Sequence, residues 1–191
     1  MSGKLLSGLL NGVLCGIGAA GCWKLDPLAQ PFGYASCILA YTHGTLGLIV
    51  SLRHAQNCHN PHLCLTRTLM EVGQLTLINI QFCHSSLGSS SPITLLYGLS
   101  MAGLCCLAVK RPKVLVWRTA IGFCNMLCLL CIAKRSDACG IHLKMALLYA
   151  LGSDGVHHLR AMARGNSAER LYELCNIGIT HLAIRAFLAK M

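Results

Sequence analysis

The chain reads as all-α: a multi-pass transmembrane helical bundle of five to six spans with a basic C-terminal interfacial helix. Three observations predict this. Residues 5–23, 27–52 and 72–109 contain no Asp, Glu, Lys or Arg. Charged residues make up 12% of the 191-residue chain, against about 25% in an ordinary soluble domain. The mean hydropathy is +0.58. A bilayer core takes roughly 20 apolar residues of helix to cross. With no water in hydrocarbon, a spanning backbone must satisfy itself as a helix or a closed barrel. Runs this long, without alternation, suit helices and not the roughly 10-residue strands of a barrel. A soluble core could hide one such run but not all of them.

The first span is residues 5–23. Lys4 and Leu5–Leu14 imitate a signal peptide, and Ala19-Ala20-Gly21-Cys22 imitates a lipoprotein cleavage box. The apolar run nevertheless continues to Trp23, an interfacial residue at a span end, so the segment reads as an uncleaved helix. The second span, about 32–52, enters after Pro31, which suits a helix start. A polar loop rich in His, Asn and Cys fills 53–68. Gly88-Ser89-Ser90-Ser91-Pro92 cuts the longest uncharged run into spans at about 69–87 and 92–109. Lys110-Arg111-Pro112-Lys113 is a short link, so the next span, about 114–133, forms a helical hairpin with the one before it. Residues 141–160 make a sixth span or an interfacial helix, interrupted by Gly152-Ser153-Asp154-Gly155. The bundle thus occupies 1–163. Residues 164–191 form a last helix that lies on the membrane or packs against the bundle. Asn166 and Glu169 supply its N-cap pattern. Leu171, Leu174, Cys175, Gly178 and Leu182 share one of its faces, with Glu173 and Asn176 opposite.

The net charge of +10 sits mostly between apolar runs. That is the positive-inside pattern, not a nucleic-acid footprint. Lys4, Arg53, Arg67, Lys110, Arg111 and Lys113 place the N-terminus in the cytosol, with Arg118 near the same face. Lys24, Lys134 and Arg135 lie outside. The tail bases Arg160, Arg164, Arg170, Arg185 and Lys190 also prefer the cytosol, which favours an even span count. The organelle reads as endoplasmic reticulum or plasma membrane. The cysteines, 13 in number, lie largely inside apolar segments, where a thiol acts as a small hydrophobe. This is not the framework of a secreted disulfide scaffold.

Four constellations are candidates for function. Gly8, Gly12, Gly16 and Ala20 recur every fourth residue, the small-residue pattern of close helix packing in lipid. Such a ridge serves either the chain's own bundle or a homo-oligomer or membrane-protein partner. Glu71, Gln74, Gln81 and Ser85 form one stripe on the third span, with His84 beside it and His43 of the second span as its intramembrane partner. The stripe makes interhelical hydrogen bonds or lines a path for a proton, small solute or metal ion. Cys58, His59, His62 and Cys64 carry zinc-ligating chemistry without a zinc-site spacing. Asp154, His157 and His158, at i, i+3 and i+4, are the weak trace of a metal-dependent lipid enzyme. No P-loop, G-x-S-x-G, H-E-x-x-H or dinucleotide fingerprint is present. No cofactor is expected. The reading is a non-enzymatic integral membrane protein working through helix packing with itself or a membrane partner. A transporter is the alternative and a lipid enzyme a further one. The ridge predicts that Gly12→Leu disrupts folding or assembly, read as loss of expression or a changed oligomeric state in detergent.

Overall fold

Prolines mark where helices begin. The computed structural model describes residues 2–52, 61–87, 91–110, 115–135, 139–162 and 167–189. Among them are seven α-helices and no strand. They are α1 (Ser2–Lys24), α2 (Pro31–Leu52), α3 (Pro61–Leu87), α4 (Pro92–Lys110), α5 (Leu115–Arg135), α6 (Cys139–Met162) and α7 (Ser167–Leu188). α2, α3 and α4 each open on proline, which has no N–H to lose in a first turn and a preset φ. Asp26 Oδ1 accepts the Leu28 amide at 2.9 Å and turns the chain between α1 and α2.

Four helices are long and apolar enough to cross a membrane: Leu5–Lys24, Pro31–Leu52, Pro92–Lys110 and Val116–Lys134. α3 is more polar, yet with 27 residues it runs about 40 Å. It begins at Pro61, so 61–68 is helical and not loop. Thr66 and Thr68 bond back to the carbonyls of Leu63 and Cys64 at 3.2 and 3.1 Å, so their polarity is absorbed inside the helix. α6 also continues without a break through Gly152 and Gly155 to Met162, and its apolar part is Cys139–Gly152.

Successive helices are antiparallel. Gly8 faces Ser51 and Gly21 faces Cys37 across α1 and α2. His43 meets Thr66, while Gly33 meets Gln81, across α2 and α3. Gly152 faces Cys175 and Gly178 faces Leu148 across α6 and α7. α3 is central, touching α2, α4, α5, α6 and α7. The main apolar cluster gathers Leu75, Ile78, Phe82, Met145, Ile179 and Phe187 from α3, α6 and α7.

Of the two placements expected for the last helix, the structure has the packed one. Arg67 meets Glu169 at one end of α7, and Gln30 meets the Phe187 carbonyl at the other. α7 thus runs the length of the bundle, so Arg170 and Arg185 lie toward opposite ends, about 22 Å apart along the axis. Both expected faces of α7 are sheltered: Cys175 is buried, and Leu171 and Leu182 pack against the core clusters. Glu173 and Asn176 are buried, whereas Leu174 is 52% exposed.

The α1–α2 seam differs from the four-residue ridge for a geometric reason. Each four-residue step advances about 40° past a full turn, so Gly8 to Ala20 winds about 120° around the helix. A Cβ on Gly8 would meet Ser51 and one on Gly12 would touch Leu48, but one on Gly16 would meet no other part of the protein within 4 Å beyond its own helix backbone, and Ala20 is exposed. The seam instead follows Gly8, Asn11, Cys15, Gly18 and Gly21 against Ser51, Gly47, Gly44, Tyr41 and Cys37. This alternation of three and four residues keeps one line facing the partner. A methyl group on Gly18 would sit 2.6 Å from the Tyr41 nitrogen, and one on Gly44 would sit 2.5 Å from the Cys15 nitrogen. Backbone cannot yield there as a side-chain end can. Gly44→Leu and Gly18→Leu are each expected to cost about 1–3 kcal/mol or more of unfolding free energy. Gly16→Leu should shift it by less than about 0.5 kcal/mol. Denaturant titration in mixed micelles checks the ranking.

Candidate functional site

α3 carries the polar groups around which the bundle closes. Gln74, Thr76, Asn79 and Gln81 are all buried. They point to different neighbours, because successive positions on a helix advance about 100°. Toward α4 and α5, Asn79 Nδ2 donates to Asn125 Oδ1 at 3.2 Å, to the Asn125 carbonyl at 2.9 Å and to the Tyr97 hydroxyl at 3.3 Å. Tyr97 in turn donates to Asn125 Oδ1 at 2.8 Å, and Asn125 Nδ2 donates to Thr76 at 3.0 Å. Two turns along α3 from Asn79, Arg118 of α5 forms a 2.9 Å ion pair with Glu71 and reaches Thr68 at 3.4 Å.

Toward α2 and α7, Gln74 donates to Thr180 at 2.6 Å. Gln81 Oε1 accepts the amides of Phe32 and Gly33 at 3.1 and 3.2 Å. It thereby satisfies the open N-terminus of α2 from another helix. Gln30 does the converse for α7, donating to the Phe187 carbonyl at 3.3 Å.

The most enclosed titratable pair is His43 with Glu173. His43 Nε2 lies 3.2 Å from Glu173 Oε1, with side chains 2% and 9% exposed. His43 Nδ1 lies 3.0 Å from the Thr66 hydroxyl. Nearby, Arg67 pairs with Glu169 at 2.9 Å and rests 5.2 Å over the Tyr172 ring. Arg67 and Glu169 are 27% and 51% exposed, so that pair adds little stability. Glu173 Oε2 and Asn176 Nδ2 are buried with no hydrogen-bond partner, a cost of about 1–3 kcal/mol each unless something meets them. Asn176 lines a void of about 10 Å³ with Glu71, Gln74, Tyr149 and Tyr172, room for about one water. A larger recess of about 460 Å³ opens at the other end of the bundle beside Gln30, Ser85 and Phe187. Ile78, Phe82 and Ala183, buried in one cluster, lie between the two along α3 and α7.

The expected polar stripe is therefore dispersed. His43 turns to Glu173, Glu71 to Arg118, Gln74 to Thr180, and Gln81 to the start of α2. His84 meets the edge of Phe32 with ring centroids 6.2 Å apart. His43 lies near the middle of α2, and its partners are Thr66 and Glu173, not the stripe. His62 and Cys64 are exposed near the start of α3, and Cys58 and His59 lie outside the described residues. The side chains of Asp154, His157 and His158 also lie outside them, as do those of Arg160, Arg164 and Asn166. Among the described residues, no three His, Cys, Asp or Glu side chains form a metal-holding group. Sequence reasoning missed Asn79, Tyr97, Asn125 and Glu173. The available signal was an amide or carboxylate in an otherwise apolar helix, which is costly unless paired inside.

Residues 27–187 match the family described as Domain of unknown function (DUF4791), and the chain belongs to that family. The match takes in α2 and most of the chain through α7, and α1 precedes it. No curated protein and no solved structure matches the chain.

The asparagine–tyrosine cluster sets a rank order. Asn125→Leu, which removes a side-chain partner from Asn79, Thr76 and Tyr97 at once, is expected to cost about 1–3 kcal/mol. Tyr97→Phe, which removes one hydroxyl from the edge of the cluster, should cost about 0.5–1.5 kcal/mol. Equilibrium unfolding of the two variants in the same detergent checks this.

Proposed function

We propose that this DUF4791 member is a small integral membrane protein, non-enzymatic, that acts by packing α1 against a second copy or a membrane-protein partner. The observation that carries the reading is the inverted placement of polarity. Gln74, Asn79, Gln81, Asn125 and Glu173 are buried, while Leu9, Leu96, Leu99, Phe123 and Leu147 are at least 60% exposed. Such a surface suits hydrocarbon and not water. α1, α2, α4 and α5 cross as apolar spans, and α3, α6 and α7 cross within their shelter. A cytosolic N-terminal end, in the endoplasmic reticulum or plasma membrane, is supported by the basic groups at that end, among them Arg67, Lys110 and Arg118.

The ridge enters at this point. Gly16 and Ala20 are exposed and a Cβ added to Gly16 would meet nothing on another helix within 4 Å, so the outward part of the small-residue line is not spent on α2. Close backbone approach by another helix is what such a line permits. A second reading, a carrier of a proton, small solute or metal ion, draws on the void beside Gln74. Its water-sized volume and its separation from the recess favour the first reading.

Single-molecule photobleaching of the labelled protein in vesicles tests the proposal. Wild type should form dimers or larger assemblies. Gly16→Leu should weaken association at least tenfold, about 1.4 kcal/mol, while leaving monomer stability intact. Monomers at every protein-to-lipid ratio would overturn self-association. The remaining partner reading would then rest on whether wild type, but not Gly16→Leu, retains a co-purifying membrane protein.

A further inference from the structure

We propose that Cys83 of α3 and Cys128 of α5 are a redox site, at which a hydroperoxide dissolved in the bilayer joins the two thiols in a disulfide. The site is independent of what α1 binds. The two sulfurs meet at 3.8 Å. Other thiols of the apolar helices face oxygen instead. Cys15 lies 3.3 Å from the Thr45 hydroxyl, and Cys105 lies 3.6 Å from the Val72 carbonyl. The polar cluster beside Cys83 and Cys128 sets their meeting. Asn79 bonds both the side-chain oxygen and the carbonyl of Asn125, which fixes the height and rotation of α5 against α3. The two helices run in the same direction, since Glu71 meets Arg118 and, further along both, Asn79 meets Asn125. Cys83 follows Asn79 by four residues and Cys128 follows Asn125 by three, so each thiol shares a face with its asparagine. One turn past the asparagines the thiols therefore stand opposite each other. From 3.8 Å, each sulfur has about 1 Å to move to reach disulfide distance.

Unequal access divides the roles. Cys83 is 7% exposed and Cys128 is half-buried, so Cys128 is the sulfur that an oxidant in the bilayer reaches. The thiolate is the attacking form, and the step begins as Cys128 gives up its thiol proton. Its sulfur takes the terminal oxygen of the hydroperoxide. The O–O bond breaks, and the remaining alkoxide leaves with the proton as an alcohol. Cys128 is now a sulfenic acid. Cys83 attacks that sulfur, the S–O bond breaks, and hydroxide leaves with the Cys83 proton as water. Two thiols and one hydroperoxide thus become one disulfide, one alcohol and one water, and two electrons pass from sulfur to oxygen. A thiol reductant reverses the change by exchange. Cys131, three residues beyond Cys128 and exposed, is the competing partner on the same helix. The disulfide replaces a register held by hydrogen bonds between α3 and α5 with one held covalently.

The test treats the full chain in lipid nanodiscs with one equivalent of cumene hydroperoxide, an oxidant that partitions into the bilayer. Remaining thiols are then alkylated, and tandem mass spectrometry maps the products. The bond between Cys83 and Cys128 should be the leading disulfide, and dithiothreitol should restore both thiols. In Cys83→Ser the sulfenic acid has no resolving thiol. Dimedone should then label Cys128 about tenfold more than in the wild type, where Cys83 consumes it. Cys128→Ser should abolish the crosslink and leave Cys83 unlabelled, whereas Cys131→Ser should form the crosslink as the wild type does. A wild type whose leading disulfide joins Cys128 to Cys131 would overturn the proposal. So would a wild type in which Cys128 is oxidised while Cys83 stays a thiol, or one in which both stay thiols. Dimedone on Cys83 in Cys128→Ser would overturn it as well. The wild-type map decides the matter even if a variant fails to fold.

Discussion

A polar side chain in the middle of a long apolar bundle has to be answered by another polar group. The arrangement around α3 follows from that requirement. Each of its inward amides and hydroxyls sets the place of a neighbour: Asn79 and Thr76 hold α5, Gln81 holds the start of α2, and Gln74 holds α7. Individually these bonds are modest, about 0.6 kcal/mol on average between helices in lipid. Their direction matters more than their strength. Leucine faces are interchangeable between neighbours, whereas an Asn79–Asn125 pair can be satisfied in one register only. The exposed apolar faces suit hydrocarbon, and the polar interior decides which helix meets which.

The α1–α2 pair shows a second way to hold helices together. Here the backbones approach until a single added methyl group would overlap the opposing chain, as at Gly18 and Gly44. Between apolar helices in lipid, association comes from van der Waals contact, which needs small residues at the seam. One helix pair is therefore joined by removal of side chains and the rest by paired polar ones. α1 lies before the family match and presents its unspent small residues outward, which is why the proposed partner interface falls on it.

The apolar segments were readable because length and charge are properties of the chain alone. Spans at 5–23, 32–52, 92–109 and 114–133 correspond closely to α1, α2, α4 and α5. The start of α3 was not readable. Its His, Thr and Arg residues look like loop until the threonine hydroxyls are seen bonded to their own helix. On α7 the side carrying Glu173 and Asn176 is buried as well, and of the expected apolar face only Leu174 is exposed. An amphipathic pattern shows which side is polar, not whether that side faces water or the interior. Gly8 and Gly12 contact α2, and the drift of the helix carries Gly16 and Ala20 away from it.

Composition and the spacing of charges were enough to establish an all-helical chain with segments of membrane-crossing length, because hydrocarbon thickness and backbone hydrogen bonding leave few other solutions. Composition also showed that α3 is unusually polar. Which polar residue pairs with which was settled in three dimensions. The distances from His43 to Thr66 and Glu173, or from Asn79 to Asn125, depend on how helices far apart in the chain are rotated and shifted against one another. That rotation is set by the joint packing of all seven helices, so no local stretch of residues contains it.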